Sequence, residues 1–186
     1  MLNLLVVATA LAGALLPWAL PSGERVDPVL LSILAGLAAV SGLRCVKAAG
    51  RATWFVPIDA FVLAGIVVVG GRGACALALA GLMGSTAGTI KKFAARRALF
   101  NVGAVLVATV AAAATFLAVP YQAAAFAAAA ASFFLVNTGL VAAAVALDRS
   151  TSWVGVWKKT FLPSVPRFAL AALLGAGLAV LGTVTF

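Results

Sequence analysis

An all-α polytopic membrane protein with about seven transmembrane helices is the fold that this sequence predicts. Three observations predict it: extreme apolarity, a run of greasy segments punctuated by charges, and cations concentrated in alternate connectors. Of 186 residues, 65% are hydrophobic and only 9% are charged, with a mean hydropathy of +1.21. A soluble domain is about 25% charged, so this chain lacks the polar surface to cover a globule in water. At about 20 residues per bilayer crossing, the length is used up by seven or eight spans. No soluble catalytic domain fits beside them.

The spans follow in order from the apolar runs. The first is Leu2–Leu20, closed by Pro21-Ser22-Gly23 and the charged Glu24, Arg25 and Asp27. No basic residue precedes it, which argues against a cleaved signal peptide, although Ala8-Thr9-Ala10 and Ala12-Gly13-Ala14 offer small-residue cleavage sites. The second, Pro28–Val46, is closed by Arg44, Lys47 and Arg51. The third, about Trp54–Val69, is short, and Gly70-Gly71-Arg72-Gly73 reads as a tight turn. The fourth is Ala74–Ile90; spans three and four together are also compatible with one re-entrant hairpin. The fifth is Leu99–Val119, turned by Pro120-Tyr121-Gln122 into the sixth, Ala123–Leu147. A polar connector at 148–160 leads to the seventh, Phe161–Phe186. All must be helical, because an open strand leaves its backbone unsatisfied in lipid and the runs lack a barrel's alternation.

Charge sets the orientation. Connectors two, four and six hold Arg44, Lys47, Arg51, Lys91, Lys92, Arg96, Arg97, Arg149, Lys158 and Lys159, ten of thirteen basic residues. The other connectors hold only Arg25 and Arg72. The positive-inside rule then predicts a multi-pass protein of the bacterial inner membrane, N-terminus cytoplasmic and C-terminus outside. Trp54, Trp153 and Trp157 fall at the inner interface and Trp18 near the outer one. The net charge of +9 is explained by topology and anionic head groups, so nucleic acid is not an expected partner. Cys45 and Cys75 fall near opposite faces and are expected to stay unpaired.

Lipid tails are as apolar as Leu, so helices associate in a membrane by close backbone approach. Ala76, Ala80, Gly84 and Gly88 form a small-residue ladder on span four and are the predicted helix-packing face. Shorter seams are Ala8 and Ala12 with Ala10 and Ala14, Ala104-Ala108-Ala112, and Ala172 with Ala176.

Polar groups at membrane depth need a partner or a job. Asp59, the one acidic residue inside a span, lies roughly 8 Å from the inner end of span three at 1.5 Å per residue. Arg167 lies at a similar predicted depth in span seven, which suits an ion pair, a snorkelling arginine, or a polar site for an ion or ligand. Asn101 and Asn137 are placed to bond across helices or to line a ligand cavity. With no His and a single intramembrane Asp, neither a protease dyad nor a metal-ligand cluster can be assembled. There is no Walker motif and no Gly-x-Ser-x-Gly elbow. The expectation is a protein without catalytic activity, metal or cofactor.

Arg97-Ala98-Leu99-Phe100-Asn101-Val102, Phe133-Phe134-Leu135-Val136-Asn137-Thr138 and Ala60-Phe61-Val62-Leu63-Ala64 with the following Gly turn resemble membrane-associated sensory domains. Those modules precede diguanylate cyclase or HD-type phosphohydrolase domains in bacterial signalling proteins. The likeness spans roughly residues 54–175 and implies a small-ligand- or lipid-sensing role, with Asn101 and Asn137 as a shared inter-helix polar site. Because Phe186 is expected outside, the signal is expected to pass to a partner chain. The size and the Ala8–Ala14 pattern also resemble the substrate-binding membrane component of energy-coupling-factor vitamin transporters. That likeness implies six spans, a small solute and docking on a coupling protein. A structural accessory subunit of a larger membrane complex is the third expectation.

Overall fold

The computed structural model describes residues 2–21, 27–43, 46–47, 54–55, 58–87 and 95–185. Arg25, Arg44, Cys45, Arg51, Gly88, Lys91 and Lys92 lie outside the described residues. The helices are α1 (Leu2–Leu15), α2 (Pro28–Leu43), α3 (Ile58–Val68), α4 (Gly70–Ala87), α5 (Ala95–Ala118), α6 (Gln122–Arg149), α7 (Trp153–Thr160) and α8 (Val165–Thr185). Apart from a two-residue antiparallel ladder, β1 (Val46–Lys47) on β2 (Trp54–Phe55), the described elements are helical. Four segments are long and apolar enough to cross a membrane: Leu2–Ala19, Ala95–Ala118, Gln122–Arg149 and Trp153–Gly182.

Local chemistry sets the boundaries. Pro17 has no N–H to continue α1, which tightens into a 3-10 turn at Leu16–Ala19. The Asp27 carboxylate accepts from the Val29 amide at 2.8 Å, capping α2 just ahead of Pro28. Gly70, at φ 70°, makes the hairpin bend between α3 and α4. Pro120 separates α5 from α6. Ser150, at φ 51°, ends α6, and the Ser152 hydroxyl then accepts from the Gly155 amide to start α7. Pro166 sits in the first turn of α8, where its missing N–H costs nothing.

Several boundaries differ from expectation. The third span shortens to α3, with 11 residues, about 16 Å long at 1.5 Å per residue. Gly71, Arg72 and Gly73 belong to the first turn of α4, because Gly70 alone accommodates the bend. Part of the polar 148–160 connector is the helix α7. Trp153 and Trp157 lie four residues apart, so they share one face of it. Their indole N–H groups donate to the Gly139 carbonyl and the Thr138 hydroxyl, both at 3.0 Å.

The helices pair with clear senses. α1 runs alongside α5 in the same direction, with Asn3 at Arg96, Gly13 at Gly103, and Leu20 and Ala113 both at Gly71. α3 runs with α8, matching Ala60 to Gly175 and Val68 to Gly182, and α2 runs with α4, matching Leu31 to Gly73 and Gly42 to Gly84. α3 and α4 are antiparallel, with Ile58 against Gly81 and Gly65 against Ala74. α5 and α6 form a second antiparallel hairpin across Val119–Tyr121. The short α3 is the core helix: Ile58, Ala60 and all of Val62–Ile66 are buried. A helix apolar all round belongs inside a bundle. The outer faces carry exposed stripes instead, Leu4-Val7-Leu11-Leu15 on α1, Val29-Ile33-Leu37-Val40 on α2 and Leu170-Leu173-Leu174 on α8.

The small-residue faces are used, but displaced from the spacing-four ladders. On α4, Gly81 and Gly84 meet Gly42 and Ala39 of α2, while Ala76 is exposed and Ala80 half-buried. The buried face of α4 runs instead through Leu77, Ala78, Gly81 and Gly84, turned partly round the helix from Ala76 and Ala80. α1 buries Val6, Thr9 and Gly13 rather than Ala8 and Ala12. α8 buries Ala171, Gly175 and Ala179, with Ala172 and Ala176 half-buried. Ala104, Ala108 and Ala112 of α5 are all fully buried.

Arg72 closes one end of the bundle. Its Nε donates to the Leu20 carbonyl at 3.1 Å and its Nη2 to the Trp18 carbonyl at 3.0 Å. The guanidinium also lies 5.8 Å from the Trp18 ring centroid. Both carbonyls lie at the C-terminal end of the α1 segment, where a cation is favoured. Arg72→Lys keeps the charge but loses the fork. It should cost about 1 kcal/mol, after discounting for exposure, and lower the melting temperature by about 2–4 °C. Differential scanning fluorimetry in detergent checks this; an unchanged melting temperature would remove the capping role.

Candidate ligand-binding cleft

Because α1 and α5 run together and α6 returns antiparallel, the start of α1, the start of α5 and the end of α6 converge. Their side chains enclose an open cleft of about 700 Å³. Its apolar wall is Leu2 and Val6 of α1, Phe100 of α5, and Val141, Ala144 and Val145 of α6. Its polar rim is Arg96, Arg97 and Asn101 of α5 with Asp148 and Arg149 of α6.

The rim charges are unequally engaged. Arg96 Nη1 donates to Asn3 Oδ1 at 3.0 Å, and Arg96 Nη2 stands 3.9 Å from Asp148 Oδ1. Arg97 and Arg149 have no ion pair among the described residues. Among the described residues, three guanidiniums against one carboxylate leave a formal charge of +2 (3 − 1) on the rim. The N-terminal turns of α1 and α5 and the C-terminal turn of α6 all end here, so their dipoles partly offset one another and the side chains set the charge of the rim. The arrangement therefore offers cations at one edge of an apolar trough. That can hold a molecule with an anionic head and an apolar body.

Of the residues singled out from sequence, Asn101 alone reaches this cleft, at its exposed rim. Asn137 is half-buried on α6, and its neighbour Thr138 makes the polar contacts there, donating to Phe134 O at 2.6 Å and accepting from Trp157. Asp59 lies half-buried in the first turn of α3, and Arg167 half-buried near the start of α8. With Ala60 level with Gly175, Arg167 is about 10 Å away along α8 from the level of Asp59, at 1.5 Å per residue. No ion pair joins them among the described residues. The predicted common depth fails because α3 begins only at Ile58, well along the length of α8.

Sequence reading did not group Arg96, Arg97, Asp148 and Arg149, taking them as topology signals. A signal was present. In an antiparallel hairpin turning near Tyr121, residues equidistant from the turn lie level, as Arg96 and Asp148 do. The Asn3 contact had no such signal, since it depends on α1 pairing with α5. Among the described residues there is no group of three His, Cys, Asp or Glu side chains able to hold a metal ion. Cys75 is buried and unpaired. Compared with protein-family models, curated proteins and solved structures, the chain matches none.

Proposed function

We propose that this chain is a seven-span bacterial inner-membrane module, N-terminus cytoplasmic and C-terminus outside, that senses a small amphiphile or lipid and acts through a partner chain without catalysis. The carrying observation is the cleft itself, an apolar trough with an arginine rim at one end of the bundle. Seven crossings are supported by the alternation of helix senses and by α3 and α4 forming a hairpin around Gly70. The orientation is supported by Arg96, Arg97 and Arg149 gathering at one end, with Arg72 at the other. A solute-transport subunit draws less support, because neither Asp59 nor Asn137 lines the cleft that Asn101 reaches.

Purification in mild detergent followed by mass spectrometry of retained small molecules tests the reading. A reproducibly retained amphiphile that is lost when Val141→Trp fills the trough is the expected result. Retention of nothing, from several mild detergents, would overturn it. The topology has its own test. Lys92→Cys, in a Cys45→Ser, Cys75→Ser background, should resist a membrane-impermeant maleimide on intact cells. It should react fully once the membranes are opened, and labelling of intact cells would reverse the orientation.

A further inference from the structure

Resting on that reading of the cleft, we infer that its occupant is a lipid carrying a phosphomonoester head group, taken from the leaflet beside the arginine rim. Charge balance is the first reason. Arg96 is already engaged by Asn3 and Asp148, so Arg97 and Arg149 are the two guanidiniums open to a ligand. They come from the two arms of the α5–α6 hairpin, at its open end, and both line the rim. A phosphomonoester carries about −1.5 to −2 near neutral pH, which matches the +2 of the rim. A phosphodiester or a carboxylate brings one negative charge and leaves one of the two open guanidiniums without an anionic partner in the site. A zwitterionic head adds a cation to a site that already holds three.

Geometry is the second reason. Guanidinium forks meet phosphate oxygens two at a time, and two open forks line this rim. The third reason is the wall. Leu2, Val6, Phe100, Val141 and Val145 give a hydrophilic anion nothing to bond to but suit an acyl chain. The shared chemistry is a dianionic phosphate, and the wall favours a lipid over the free ion.

The test uses the full chain in phosphatidylcholine nanodiscs doped in turn with phosphatidic acid, phosphatidylglycerol or diacylglycerol, read by native mass spectrometry after delipidation. Phosphatidic acid should be retained about tenfold over phosphatidylglycerol, and diacylglycerol not at all. Arg97→Gln with Arg149→Gln should abolish the preference, while Arg167→Gln, outside the cleft, should keep it. Arg97→Lys should keep the charge and lose most of the discrimination. Both cleft arginines are exposed, and melting temperatures of the variants in plain phosphatidylcholine check that they fold. Equal retention of the two anionic lipids, lost on filling the trough with Val141→Trp, would overturn the phosphomonoester assignment and leave the cleft reading standing. Displacement of phosphatidic acid by millimolar inorganic phosphate would overturn the lipid source. Equal retention insensitive to both arginines and to Val141→Trp would overturn the cleft reading as well.

Discussion

Gly84→Val should be the most damaging single substitution in the bundle. A Cβ at Gly84 lands on the carbonyl oxygen of Ala39, with the Ala39 carbonyl carbon 2.8 Å away. Across the seam, a Cβ at Gly42 lands on the Gly81 carbonyl and lies 2.8 Å from the Ser85 amide. Every neighbour is backbone, so no side chain can rotate aside and α2 must separate from α4. Overpacking a core costs about 1–3 kcal/mol, and immovable backbone puts this case at the top of that range. At about 2–4 °C per kcal/mol, thermal unfolding in a fixed detergent should fall by around 10 °C. Gly36 and Gly177 are the matched controls, because a Cβ there meets nothing within 4 Å. Alanine at either should hold or raise the melting temperature, since a helical Gly costs about 1 kcal/mol against Ala. A Gly84→Val protein that melts with the parent would show that α2 and α4 do not touch along this seam.

Phe133→Ala is expected to come second. Phe133 is 1% exposed and is among the largest fully buried side chains. Its ring stacks on Phe168 of α8 at 6.1 Å between centroids and 9° between planes. Phe168 in turn meets Phe134 at 5.0 Å, and Phe134 meets Trp157 edge-on. This aromatic chain ties α6, α7 and α8 together. In a soluble protein Phe→Ala costs about 3–5 kcal/mol. In lipid the transfer part shrinks, because the unfolded reference is also apolar, while the lost contacts and the cavity remain. A cost of about 2 kcal/mol follows, read as a lower melting temperature and a shifted Trp emission. Leu135→Ala, two residues away but 54% exposed, should change neither. Equal effects at 133 and 135 would place the ring outside the core.

The two substitutions mark where sequence reading succeeded and where it stopped. Gly84 was legible as a close-approach residue, because small side chains are how membrane helices meet. Its partners Ala39 and Gly42 were not legible, since an Ala- and Gly-rich chain offers many equivalent faces. Phe133 stands in the sequence only as the first residue of the Phe133–Thr138 stretch. Its burial depends on α8 crossing α6 at Phe168.

Composition and connector charge by themselves determined that the chain is helical, apolar along its length and basic in alternate gaps. Those properties are local sums, and each residue contributes wherever its neighbours end up. They also marked α3 as too short for an ordinary crossing, without revealing that it is the core helix. The pairing of α1 with α5, the displaced small-residue seams and the meeting of Arg96, Arg97 and Arg149 were decided only by tertiary structure. The physical reason is that lipid-bathed helices are held by backbone approaches within a few ångströms. Which faces make those approaches depends on rotations of some tens of degrees, and no spacing rule along the chain records them.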